Sequence, residues 1–401
     1  MQNNNHLGQN GQEPKEILSD NTLTKQPAWG KRKSWPRLPL ALAGLLIVLM
    51  GICCLRPSSF RSTKEPRMGR ALNKVAIVYS THYDINVLGL ERLHPFDIRK
   101  YAKIYLQLQT DGHLRPDDVF VPEPLTEDQI LLVHTDEFLS SLKDPHRVAQ
   151  YLEAGFVEAF PAKVVDTTVL SSFRWASGGT ILAAREALKC GIAANLGGGY
   201  HHAKPDAGEG FCVYNDLAIA IRSLQKDGLI KRACVVDLDV HQGNGTALIF
   251  AGDDSVFTFS MHQRDIYPIP KETSDWDIEL ASGTTDQAYL RVLQEALPDL
   301  LARANPDIVF LQAGCDTMSD DPLAGLAMTQ SGIVRRDALV IDACVAQGIP
   351  VVMTLGGGYH SQAWQAQYAS IARTIDKYGL IGPDRPHPQR SPTAKESFYT
   401  K

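Results

Sequence analysis

Between about residues 73 and 384 the chain predicts an α/β domain of three layers, α/β/α, around a mainly parallel central sheet. Two observations predict this. Short, β-branched and almost wholly apolar runs recur, and amphipathic helical patterns separate several of them. Strands apolar on both faces need helices above and below, which is the parallel arrangement. The length, 401 residues with no internal repeat, suffices for one large domain or two smaller ones and a sizeable core.

In chain order, the predicted strands are KVAIVY (74–79), IAANL (192–196), ACVVDLD (233–239), SVFTFSM (255–261), DIVFLQ (307–312) and PVVMTL (350–355). The predicted helices are residues 178–190, 215–227, 285–304 and 335–348, whose apolar positions recur at helical spacing. Residues 1–37 are polar, Asn/Gln-rich and aperiodic, a disordered tail. LPLALAGLLIVLMGICCL (38–55) carries no charge and is just long enough to span a bilayer, so a transmembrane anchor is expected there. A buried core helix fits less well between two basic, loop-like flanks, and a third reading starts the natural product at Met68. A basic linker (56–72) leads into the domain, and the Pro-rich residues 385–401 form a loose tail.

Charge divides unevenly. Residues 1–70 hold 11 Lys/Arg against 4 Asp/Glu, and the remainder 29 against 41, a net of −12. An acidic body argues against direct nucleic-acid binding, which needs a basic face. It suits a cationic substrate such as a lysine-rich peptide, although many soluble enzymes are simply acidic. The seven cysteines show no CxxC and no regular spacing, the pattern of free thiols in a reducing, cytoplasmic compartment.

Ligands in open α/β sheets bind beyond the carboxyl ends of the strands. Gly197-Gly198-Gly199-Tyr200-His201-His202 follows the second predicted strand, and Asp237, Asp239 and His241 close the third. His262 and Tyr267 follow the fourth, Gly314-Cys315-Asp316 the fifth, and Gly356-Gly357-Gly358-Tyr359 the sixth. Any one of these is weak evidence, but five strand ends delivering His, Asp or Tyr make a site. Asp239 and His241, two apart on a strand, share a face and suit Zn²⁺, with Asp316 as the third ligand. A salt-bridged Asp–His pair is the plain alternative for those two residues alone. His201 and His202 then supply acid–base chemistry. Asp237 is placed to orient His201, and Asn244 offers His202 a neutral partner, so His202 is the more readily neutral base. Tyr359 could donate to a developing oxyanion, though a lone Tyr more often braces a loop. Gly210 and Phe211 line a narrow passage in this reading, with Tyr267 at its wall, while Cys212 and Cys315 are small buried residues rather than nucleophiles.

GGGYHH…GEGFCVYND, DLDVHQGNG, AGCDTMSDDPLAGL and LGGGY resemble the histone deacetylase superfamily, built on an arginase-like α/β fold. HPFDIRKY (94–101), VHTDEFL (133–139), SGGTILAAREAL (177–188), IYP (266–268), SGIVRRDALV (331–340) and GLIGP (379–383) resemble its class IV branch. The resemblance runs from about residue 73 to 384 and leaves residues 1–70 untouched. It implies Zn²⁺ on Asp239, His241 and Asp316, acid–base work by His201 and His202, and carbonyl polarisation by Tyr359. It further implies a monovalent cation, usually potassium, near Asp237 and Ser260. Asn244 stands where many class I and II relatives carry a carboxylate. The expected activity is zinc-dependent removal of acetyl or longer acyl groups from the lysine ε-amine in proteins. Deacetylation of small amines such as acetylpolyamines is the alternative, and a membrane-tethered, non-catalytic binding protein the weakest reading.

Overall fold

A computed structural model describes residues 73–383, and the statements that follow concern those residues. Eight parallel strands form one sheet: β1 (Lys74–Val78), β2 (Val119–Phe120), β3 (Gly191–Asn195), β4 (Ala233–Asp237), β5 (Val256–Gln263), β6 (Trp276–Leu280), β7 (Ile308–Gln312) and β8 (Val351–Thr354). Their order across the sheet is β2-β1-β3-β8-β7-β4-β5-β6. Every residue of β3, β4, β7 and β8 is buried, so both faces of the sheet's middle are covered. Fully burying one aliphatic side chain of such a strand, Val236 for instance, stabilises the fold by roughly 1.5–3 kcal/mol.

The six longest helices are α1 (Lys100–Thr110), α2 (Ser171–Cys190), α3 (Asp216–Lys226), α4 (Asp286–Ala304), α5 (Gln330–Ala346) and α6 (Ala363–Tyr378). One group is α2, lying along β1, β3 and β8 and packed on α3. The other is a row in which α1, α6, α5 and α4 touch in turn, with α6 against β1 and α4 against β4 and β5. Local chemistry sets the starts: Asn215 Oδ1 accepts the Ala218 N–H at the head of α3, and Thr329 Oγ1 accepts that of Gly332 at the head of α5.

Strand register decides where the site forms. Ser260, Asp237, Gln312 and Thr354 stand side by side across β5, β4, β7 and β8, one polar row on the carboxyl edge. The strand order reverses between β3 and β4, with β8 and β7 filling the gap, which is where a crevice opens in such sheets.

One expectation is corrected. Among the described residues no helix is long and apolar enough to cross a membrane. The transmembrane reading rested on residues 38–55, which lie outside the described residues, as do the expected tails at 1–37 and 385–401 and the linker at 56–72. The five described cysteines, Cys190, Cys212, Cys234, Cys315 and Cys344, are buried and unpaired.

Candidate active site

The two glycine triplets are stitched to each other. Gly356 N–H donates to Gly198 O (3.1 Å) and Leu355 N–H to Gly197 O (3.3 Å). A Cβ on Gly199, which has φ +86°, would lie 2.6 Å from Gly356 N, so only glycine permits this approach. The turn after β3 is held from below by Asp216, whose carboxylate accepts from Gly199 N, Tyr200 N and Thr180 Oγ1. His201 and His202 therefore leave the turn with their rings 4.0 Å apart and both buried.

Asp239, His241 and Asp316 converge as expected, with one ligand atom from each within 4.8 Å of the others. Their outward-facing atoms are already used. Asp239 Oδ2 accepts from Gly357 N (2.9 Å) and Gln312 Nε2 (3.0 Å), and Asp316 Oδ1 from Val240 N (2.9 Å). Asp239 Oδ1, which also accepts His241 N–H (3.1 Å), and Asp316 Oδ2 each lie 3.2 Å from His241 Nδ1. Two buried carboxylates and one imidazole nitrogen, oriented by their outer hydrogen bonds, are a donor set for a divalent cation such as Zn²⁺. Asp316, pushed up by burial and by the charge of Asp239, is the group a cation between them would relieve.

The paired histidines have different backing. His201 Nδ1 lies 2.6 Å from Asp237 Oδ2, and His202 Nδ1 lies 2.7 Å from Asn244 Oδ1. Burial alone would lower His201, but the carboxylates of Asp237 and Asp239 outweigh it and bring it up to about 9. Burial, reinforced by the neighbouring His201 and His241, holds His202 well below the usual imidazole range. Tyr359 sits with its ring 6.2 Å from that of His241. Burial, then Asp316 and Asp239, raise its phenol well above 10, so it keeps its proton.

Phe211 packs edge-on to Tyr359 (5.8 Å) and His94 (4.6 Å), and Gly210 lies against His202. Tyr267, 38% exposed, packs edge-on to His202 at 5.0 Å. His201, His202, Phe211 and Tyr359 line one cavity together with the apolar side chains of Ile85, Phe156, Val157, Val169 and Phe173. Asp237 and Ser260 are register partners; Asp237 accepts from Asp239 N and pairs with His201, and Ser260 Oγ pairs with His262 Nδ1.

Several residues that build the site were not legible as such. Buried Lys100 donates to Gly356 O (2.6 Å) and Gly357 O (3.0 Å), and so fixes the turn that carries Tyr359. Asp321 accepts from Tyr359 N (2.8 Å) and His360 N (3.2 Å) on the same turn. Gln312 reaches both Asp239 and Gly199 O. Glu209 accepts from Asn244 Nδ2 (2.8 Å) and from the Tyr267 hydroxyl (2.5 Å). Asp216, Asp321 and Glu209 lie inside the motifs quoted above, and Lys100 inside HPFDIRKY. Nothing in their spacing marks them.

Comparison with known proteins agrees with this geometry. The family model of the histone deacetylase domain matches residues 94–375. An uncharacterized protein of Picosynechococcus sp. is 41% identical over 290 residues, covering 71% of this chain and 91% of its own. Histone deacetylase 2 of Arabidopsis thaliana is 37% identical over 313 residues, covering 77% and 81%. The crystal structure of the HDA15 HD domain superimposes with a TM-score of 0.61 over 76% of this chain and 92% of that one; at 22% identity this is a likeness of fold. These similarities carry the superfamily and do not single out the class IV branch.

Proposed function

The chain belongs to the histone deacetylase family and is a hydrolase of amide bonds, and from that membership we propose that it removes acyl groups from the ε-amine of lysine in proteins or peptides. The observation that carries the reading is the convergence of Asp239, His241 and Asp316 beside two imidazoles and a phenol at the mouth of an apolar cavity. A Zn²⁺ ion bound by those three residues would supply Lewis-acid polarisation of the scissile carbonyl and of water.

The chain's own groups divide the remaining work. The Tyr359 hydroxyl donates a hydrogen bond to the carbonyl oxygen as negative charge develops there. His202, backed by an amide, takes the proton of the attacking water at Nε2. His201, backed by the Asp237 carboxylate, is stabilised as the cation and gives its proton to the departing lysine amine. Phe211 and Tyr267 flank the lysine stem. The apolar lining of the cavity that the histidines share supports acyl chains longer than acetyl, and the net −12 of the chain beyond residue 70 supports a cationic substrate.

The test uses the full chain, zinc-loaded and chelator-stripped, with equal amounts of acetyl-lysine and myristoyl-lysine forms of one peptide. Mass spectrometry reads the products, and Asp316→Ala serves as the blank. Zinc-dependent loss of either acyl group supports the reading and ranks the two chains. No loss of either, alongside turnover of an acetylated polyamine, would move the substrate to small amines.

A further inference from the structure

Asn244 raises a problem of direction. An amide has a donor at one end and an acceptor at the other, and His202 Nδ1 can pair with either. Were Nδ2 to face the ring, Nδ1 would have to accept. The hydrogen of the neutral imidazole would then sit on Nε2, and His202 could take no proton from water. The structure resolves this through a residue beyond the histidine. Asn244 Nδ2 lies 2.8 Å from Glu209 Oε1. A carboxylate accepts only, so the amide nitrogen turns to Glu209 and the oxygen to His202. Glu209 is itself anchored. Tyr267 donates to the same Oε1 at 2.5 Å, and Lys204 Nζ lies 2.6 Å from Oε2. Reciprocal backbone bonds between Glu209 and Cys212, of 3.0 and 2.9 Å, fix the loop.

Resting on the deacylase reading above, we propose that Glu209 is a positioning residue: it sets which end of the Asn244 amide faces His202, and thereby keeps the hydrogen on Nδ1 and leaves Nε2 open to the reaction. The arrangement does not depend on the charge of His202, since Nδ1 carries hydrogen in the neutral and the cationic ring alike. The same carboxylate oxygen ties down Tyr267, whose ring lies 5.0 Å from that of His202, so one acceptor fixes both the base and a wall of its channel.

The full chain tests this with five proteins: wild type, Glu209→Ala, Tyr267→Phe, Asn244→Asp, and the exchange variant Glu209→Gln/Asn244→Asp. The exchange keeps the chain of hydrogen bonds but swaps carboxylate and amide, so an acceptor still faces His202. Glu209→Ala is expected to lower kcat about tenfold or more, a general-base effect, and Tyr267→Phe, which frees the same wall but leaves Glu209 paired with Asn244, reads the share of any KM change that comes from the wall. Asn244→Asp, which has no N–H for Glu209 but still presents an acceptor to Nδ1, is expected to keep hydrogen on Nδ1, and the exchange variant to stay within about threefold of wild type. A second readout is independent of turnover: nitrogen-15 spectra of labelled histidine, with His202 assigned by its loss in His202→Gln. Wild type should show hydrogen on Nδ1, and Glu209→Ala a mixture of tautomers. The proposal is overturned if Glu209→Ala keeps kcat within about twofold and its His202 spectrum is unchanged, or if the exchange variant is no better than the poorer single. If the zinc-loaded wild type turns over no acyl-lysine, the deacylase reading falls, and the tautomer spectra alone decide the role of Glu209.

Discussion

Replacing Gly357 by alanine would place a methyl group 2.3 Å from Asp316 Oδ2 and 2.8 Å from Asp239 Oδ2. Ordinary contact begins at 3.4 Å, so the Asp316 oxygen would have to retreat by about 1.1 Å and that of Asp239 by about 0.6 Å. Neither carboxylate is free to do so. Asp316 is tied to Val240 N and Asp239 to Gly357 N and Gln312 Nε2, and both are fully buried. Gly357 does not have a positive φ, so alanine suits its backbone and the effect is steric. Metal–ligand distances tolerate only about 0.2 Å, which the displacement exceeds several-fold. We expect about 1–3 kcal/mol of destabilisation from overpacking. We expect zinc affinity to fall about a hundredfold, near 2.7 kcal/mol, and kcat/KM by at least as much. Competition with a chromogenic chelator reads the affinity, urea unfolding the stability and peptide turnover the rate. Zinc affinity and kcat/KM both within about threefold of wild type, in a folded protein, would refute the packing argument and with it the assignment of these carboxylates as tightly held ligands.

Other perturbations probe different parts of the same frame. Lys100→Met leaves the buried carbonyls of Gly356 and Gly357 without their cationic donor, and should cost about 2–4 kcal/mol in urea unfolding while lowering kcat through the loosened Tyr359 turn. Tyr359→Phe should lower kcat about 10²–10³-fold with little change in KM, measured on the same peptide. His134 is buried, donating from Nδ1 to Lys204 O and accepting Asn215 N–H at Nε2, and burial lowers it from 6.5 to about 4. The unfolded chain therefore binds the proton first. Stability should fall as pH drops from about 6.5 towards 4, by about 3 kcal/mol in all, and His134→Gln should flatten that part of the unfolding profile. An equally steep profile in the variant would show that other groups govern it.

The sheet was readable where its strands are buried on both faces. The six β-branched runs correspond to β1, β3, β4, β5, β7 and β8, because complete burial writes itself as continuous apolar sequence. β2 has only two residues, and β6 (WDIEL) is a half-exposed edge strand carrying Asp277 and Glu279, so neither has that signature. Helices α1 and α6 were not predicted. The strand ends named the residues that the fold gathers: His201, His202, Asp237, Asp239, His241, Asp316 and Tyr359. Lys100, Gln312 and Glu209 were not foreseen, because each acts on a partner distant in sequence. Lys100 and Gly356 are 256 positions apart, and only the folded sheet makes them neighbours.

The strand order also carries a consequence for how the protein is made. Among the described strands β7 and β8 are the last to be synthesised, yet they lie in the middle of the sheet, between β3 and β4. Until residues 308–354 leave the ribosome, β1–β3 and β4–β6 each present an open edge that only the missing pair can close. Such unpaired edges are exposed to aggregation and invite chaperone binding. Asp316 lies in that segment and Tyr359 just beyond it, so a chain that stops before them has neither the third candidate metal ligand nor the phenol. The carboxyl edge that carries the site is therefore complete only once the two central strands have taken their places between β3 and β4.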